Sequence, residues 1–127
     1  MTRQVVSTPN APSAVGPYSQ GIIANGFVFT AGQGGLNPAT KALSDGISEQ
    51  TLQTLENIRA ILEAAGTNMG NVVKTTVYLA NINDFAAMNA VYSTFFPANP
   101  PARATIQAAA LPMGMLVQID AVATLEA

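Results

Sequence analysis

The stretch from Ser48 to Ala65 constrains the fold more than any other part of this chain. Leu52, Leu55, Ile58, Leu62 and Ala65 recur at spacings of three and four, with Ile61 alongside. That period places them on one face of an α-helix, with Glu56, Arg59 and Glu63 turned outward. Ser48 is the expected N-cap, Glu49 complements the positive end of the dipole, and Gly66 follows as the C′ residue. A helix with one apolar stripe must bury it against another layer, and the segments around it read as strands.

Val72 to Ala80 alternates Val73, Thr75, Val77 and Leu79 against Lys74, Thr76 and Tyr78, the period of a strand with two unlike faces. Upstream, Arg3 to Ser7 reads as a short strand ended by Pro9, and Asn10 to Pro17 as an ordered surface loop. Ser19 to Ala24 and Phe27 to Ala31, joined by Asn25-Gly26, carry the strongest short hairpin signal, because both turn residues tolerate positive φ. Phe27, Phe29 and Ala31 then share a face. Gly32-Gln33-Gly34-Gly35 lacks the lysine and the spacing of a phosphate loop and reads as a bend where backbones come close. Asn37-Pro38-Ala39-Thr40 reads as a turn.

A second helix is expected from its cap at Asn83, burying Phe85, Met88, Tyr92 and Phe95 and stopped by Pro97. Asn89 falls off that stripe, where the pattern alone reads it as a solvated surface residue. Two last strands run through Arg103 to Ala108 and through Val117 to Ala121, with Leu111-Pro112-Met113-Gly114 as the expected hairpin tip. The expectation is one α+β domain over residues 1–127, a mixed sheet of about six strands with two helices packed on one face.

Charged residues make up only 9 % of the chain, and apolar ones 49 %. So few charges cover the surface of a small monomer poorly, and oligomerisation is the natural remedy. A net charge of −2 with five Lys and Arg cannot supply the basic stripe that nucleic acid requires, so nucleic acid is disfavoured. No run has the length of a membrane span and no signal peptide is recognisable, which leads us to expect a cytoplasmic protein without membrane contact. Cysteine and histidine are absent, which removes thiolate nucleophiles, the usual zinc sites and imidazole triads.

Against that background Arg103 stands out, at the head of a strand just after Pro100-Pro101. A planar, permanently charged fork suits a small carboxylate or phosphate. In the expected hairpin Thr105 falls opposite Asp120, and Arg103 lies diagonal to Asp120, roughly 7–8 Å away between backbones. All three would occupy the sheet face left free by the helices. There the two charges either address one ligand or pair with each other.

Gly16-Pro17-Tyr18-Ser19-Gln20, Ala31-Gly32-Gln33, Gln50-Thr51 through to Gly66, Val73 to Leu79, Asn83-Asp84-Phe85, Asn89, Pro101-Ala102-Arg103-Ala104 and Ala108-Ala109-Ala110-Leu111-Pro112 together resemble the RidA/YjgF family, in the family's order over nearly the whole chain. The resemblance implies a chorismate-mutase-like α+β fold assembled as a homotrimer, with three sites in clefts between subunits. It implies 2-iminobutanoate/2-iminopropanoate deaminase activity without a cofactor, on small 2-imino acids released by pyridoxal-phosphate dehydratases.

Residue by residue, the resemblance makes Arg103 the holder of the substrate carboxylate, Tyr18 a residue lining the cleft, and Asn89 part of the site region. Asp120 stands where many deaminating members have a glutamate that positions water, and Thr105 where some have a cysteine whose main-chain groups face the substrate. Ala31, next to Gly32 in the binding region, replaces a frequent serine. One methylene less retracts the Asp120 carboxylate by about one carbon–carbon bond, and misplacement near 1 Å can cost about a hundredfold in rate. A non-enzymatic module of the same fold that binds small carboxylates is the alternative. A ribonuclease or stress chaperone, roles sometimes attached to the family, finds little support in an acidic chain without histidine.

Overall fold

The computed structural model describes residues 2–125. Asn25 and Gly26 turn the chain with φ of 52° and 81°, the left-handed pair that a two-residue hairpin needs. They join β2 (Gly21–Ala24) to β3 (Phe27–Thr30), and β1 (Arg3–Val6) pairs antiparallel with β2. The helix α1 (Gly46–Ala64), β4 (Val72–Leu79), α2 (Phe85–Phe95), β5 (Ala102–Gln107) and β6 (Val117–Thr124) follow. The six strands form one mixed sheet in the order β1-β2-β3-β6-β4-β5. Only β4 and β5 are parallel. No helix among the described residues is long and apolar enough to cross a membrane.

Both helices cover the same sheet face. Leu55, Ile58 and Leu62 of α1 and Met88 of α2 are buried with Val28, Val77, Leu79, Val117 and Ile119, so the expected two-layer architecture is present. The opposite face carries Val5, Phe27, Phe29 and Ile106, which are 59 %, 38 %, 44 % and 50 % exposed.

Four local expectations need correction. The helix α1 begins before Ser48, and Asp45 occupies the cap position without a side-chain hydrogen bond. Leu52 is 41 % exposed, because the buried face is rotated to include Gln50, Thr51, Thr54 and Asn57. Val73 is exposed because a bulge between Val72 and Lys74 shifts the register against β6; one extra residue breaks the alternation of faces. Phe85 is 40 % exposed, standing at the open end of α2.

The polar side chains on the buried side of α1 have a definite task. Asn57 Nδ2 donates to the carbonyls of Gly34 and Leu36 at 3.0 and 2.9 Å, and Gln50 Oε1 accepts from Leu116 N–H at 2.8 Å. Gly35 allows this approach, since a Cβ there would come within 2.7 Å of the Gln50 Cα. Buried Gln20 does the same for the proline-rich loop: its Oε1 accepts from Thr8 N–H at 2.7 Å, and its Nε2 donates to Pro12 O at 2.8 Å. The loops after β1, after β3 and before β6 are thus held by side-chain amides, which in the loop after β3 add to the backbone bridge between Gln33 and Ile119. Replacing Asn57→Ala leaves the Gly34 and Leu36 carbonyls unpaired and should lower unfolding free energy by about 2–4 kcal/mol in urea denaturation.

Candidate functional site

Arg103 and Asp120 do not meet across a hairpin. β4 lies between β5 and β6, with Thr75 in register with Arg103 and Thr76 with Asp120. Successive residues of a strand point to opposite faces, so within one protomer Arg103 faces the helices and Asp120 faces away. Thr105, in register with Val77, shares the side of Arg103. The segment after β5 is therefore a crossing connection, not a tight tip. β6 has both edges occupied, by β3 and β4, and α2 provides the crossover that a parallel β4–β5 pair requires.

The result is two separate clusters, and Arg103 centres the first. Its guanidinium carbon lies 4.8 Å from the ring centroid of Tyr92 and 5.4 Å from that of Phe85. Two aromatic faces attract the cation and restrict the plane of its fork. The Tyr92 hydroxyl is itself hydrogen-bonded to Thr75 Oγ1 at 2.7 Å. Among the described residues the only ion pair is Arg59–Glu56, so Arg103 has no carboxylate partner. A hollow of about 350 Å³ opens beside it, lined also by Asn89, Phe96 and Pro101. The Asn89 Oδ1 is buried without a hydrogen-bond partner, which corrects the residue's reading as solvated.

The second cluster is a cavity of about 480 Å³ under the loops held by Gln20, Asn57 and Gln50. Tyr18, Ala31 and Gly32 line it. Tyr18 is 49 % exposed, and its hydroxyl accepts from Val15 N–H at the long distance of 3.4 Å, leaving it available to a ligand. A Cβ at Gly32 would force the Gln118 side chain to move. Gln118, also in the lining, precedes Asp120 by one same-face position on β6. Asp120 is half-buried; burial pushes its carboxyl above the ordinary range, and the charge of Lys74 pulls the other way. Among the described residues no acidic cluster has the geometry to hold a metal ion.

The structure thus joins Arg103, Thr105 and Asn89 on one side of the molecule and Tyr18, Ala31, Gly32 and Asp120 on the other. Tyr92, Phe85 and Thr75 were not singled out as site residues from the sequence, because aromatic residues at helical spacing read as core. The β4–α2–β5 succession was the available signal, since a strand-helix-strand unit calls for parallel neighbours and lays the helix over the second strand.

Residues 8–125 match the family model described as Endoribonuclease L-PSP. The human protein named 2-iminobutanoate/2-iminopropanoate deaminase is 48 % identical over 124 residues, covering 97 % of this chain and 90 % of its own length. This chain belongs to the RidA/YjgF family. Its fold is shared by the YjgF gene product of E. coli, with a TM-score of 0.92 at 41 % identity over 95 % of this chain and 98 % of that one. E. coli TdcF, solved with bound serine, also superposes with a TM-score of 0.92, at 39 % identity over 95 % and 98 % of the two chains.

The Arg103 clamp of this RidA/YjgF member has a measurable signature. Burial raises the Tyr92 phenol above its ordinary value of 10.0, against opposing effects of the Thr75 hydrogen bond and the Arg103 charge. Its stabilising contribution is complete below pH 10 and lost as pH rises through the raised value. An alkaline absorbance titration should show a late phenol step that Tyr92→Phe removes, and the variant should lose less stability than the wild type over that range.

Proposed function

We propose that the protein is an enamine/imine deaminase that hydrolyses 2-iminopropanoate and 2-iminobutanoate, released by pyridoxal-phosphate dehydratases, to 2-oxo acids and ammonia. The observation that carries this reading is Arg103: a guanidinium close to two aromatic rings, with no acidic partner among the described residues, beside a hollow that Asn89 also lines. Relatives at 48 % identity that bear the deaminase name support it, as does the serine bound in TdcF, a small carboxylate on the same fold.

In this reading the chain acts as a homotrimer, and the exposed face of Val5, Phe27, Phe29 and Ile106 lies between protomers. Each cleft then combines Arg103, Thr105 and Asn89 of one protomer with Tyr18, Ala31, Gly32 and Asp120 of the next. Arg103 binds the substrate carboxylate by a bidentate charge-assisted bond, and Asn89 Oδ1 accepts from the imine N–H. Asp120 orients a water toward the imine carbon, accepts its proton, and returns it as ammonia departs. Its raised pKa makes the carboxylate a stronger base for that transfer. Tyr18 fixes the substrate or the water from the cavity side. Imines hydrolyse readily, so orientation and proton transfer suffice, with no cofactor.

A second reading has one observation in its favour. Arg103 and Asp120 face opposite sides of the sheet, so a single protomer offers carboxylate capture without the acid, as a binding module would. Ammonia release in a coupled dehydratase assay separates the two. Nucleolytic activity, suggested by the family description, would have to work with an acidic chain that has five basic residues and no histidine.

Arg103→Ala should lower kcat/KM for deamination at least about a hundredfold, the loss of two charge-assisted bonds, with an unchanged circular dichroism spectrum. Arg103→Lys should recover little, since a point charge does not replace the fork. Asp120→Glu should retain or raise activity. By light scattering the wild type should have three times the protomer mass, and Phe29→Glu, which puts a charge into the apolar face, should yield monomers.

A further inference from the structure

One buried pair of hydroxyls ties β4 to α2 beside Arg103. Thr75 Oγ1 and the Tyr92 hydroxyl lie 2.7 Å apart, and Thr75 is in register with Arg103 across the β4–β5 pair. Thr75 is 1 % exposed and follows the same side of β4 as Val77 and Leu79, which are fully buried. Valine would fill that core position with the same outline and no polar atom to satisfy. A hydroxyl there costs free energy unless it is bonded, and Tyr92 is its only side-chain partner among the described residues. The strand therefore carries a polar group whose bond fixes the end of the Tyr92 side chain.

The other neighbours of that ring show what it supports. Its centroid lies 4.8 Å from the guanidinium carbon of Arg103 and 4.7 Å from the centroid of Phe96, whose ring is tilted 43° to it. Tyr92 is thus restrained at its hydroxyl by β4 and along its ring by Phe96, while Arg103 lies over it. Phe85, the second ring near the guanidinium, is 40 % exposed and has no hydrogen-bonding group to anchor it. Arg103, Tyr92 and Phe96 line the same hollow of about 350 Å³. With no acidic partner for Arg103 among the described residues, the Tyr92 ring is the anchored element that selects the plane of the fork. A side chain ordered before its ligand arrives loses less freedom on binding.

We propose that Thr75 and Tyr92 are positioning residues: their hydrogen bond sets the tilt of the Tyr92 ring, and the ring presents the Arg103 fork to the carboxylate of the substrate. The proposal rests on the deaminase reading above and adds to it two residues that touch neither the imine carbon nor the water in that mechanism. They act through Arg103 alone. Capture of the carboxylate is equally strong before and during hydrolysis, so a fork presented in the wrong plane weakens binding and leaves the chemical step nearly unchanged. A KM effect without a kcat effect is the resulting signature.

The test compares Thr75→Val, Tyr92→Phe, Thr75→Ser and the double variant Thr75→Val, Tyr92→Phe, all as full chains. Thr75→Val and Tyr92→Phe each leave one buried hydroxyl unpaired and should lower the urea midpoint; the double variant removes both hydroxyls and should regain most of the loss. Capture should not be regained. KM for the imine formed from threonine by a dehydratase, with semicarbazide as the competing trap, should rise about tenfold in Thr75→Val, Tyr92→Phe and the double variant, at nearly unchanged kcat; that is the low end for one charge-assisted bond. Thr75→Ser keeps the hydroxyl and should stay close to the wild type. Kd for 2-oxobutanoate, read by NMR titration, should follow KM and does not depend on turnover. If, with an active wild type, KM and Kd are unchanged, or recover with stability in the double variant, or if Thr75→Ser matches Thr75→Val, the pair is structural only: the proposal fails and the deaminase reading stands. If the wild type accelerates no imine while the Kd pattern holds, the deaminase reading falls and the positioning of Arg103 stands; if neither is seen, both fall.

Discussion

Parallel pairing between β4 and β5 requires the chain to leave one end of the sheet and return to the other, and α2 is the element that makes the return. The same crossover lays Phe85 and Tyr92 against the edge strand that carries Arg103. Central placement of β4 then separates β5 from β6, and the period of two along each strand sends Arg103 and Asp120 to opposite faces. A single pairing choice thus fixes the setting of the cation and its distance from the acid. An arginine in this position lies against aromatic faces and has no acidic partner among the described residues.

The second cluster depends on loops, and loops need something to hold them. Here buried side-chain amides do so: Gln20 for the loop after β1, Asn57 for the loop after β3, and Gln50 for the entry to β6. Each amide satisfies backbone groups that sheet pairing leaves over. The glycines at 32 and 35 permit the close approach. The cavity that results has walls anchored to the core through α1, which suits a site that must orient a small molecule.

Much of the secondary structure was legible because it rests on local rules. Asn25-Gly26 specifies its hairpin, Gly66 ends α1 with a φ of 92°, and Leu55, Ile58 and Leu62 mark the buried stripe. Leu52 misled because the loop bonded to Asn57 shifts the contact face of α1, and Val73 because a bulge breaks the alternation. Both depend on partners distant in sequence. The side-chain types suited to a small-anion site were also legible, Arg103 above all, but not their arrangement. Asn89 looked solvated by its offset from the apolar stripe, yet its Oδ1 is buried and it lines one hollow with Pro100, Pro101 and Arg103.

The sequence by itself determined the elements, the two-layer class and the restricted chemical vocabulary, since periodicity, turn residues and the absence of histidine and cysteine are properties of neighbouring residues or of composition. Which strand lies beside which, and therefore which charged groups share a face, was decided only in three dimensions. Strand order is set by competition among edges for hydrogen-bonding partners and by where α2 can pack, and neither is encoded in the spacing of residues along one segment.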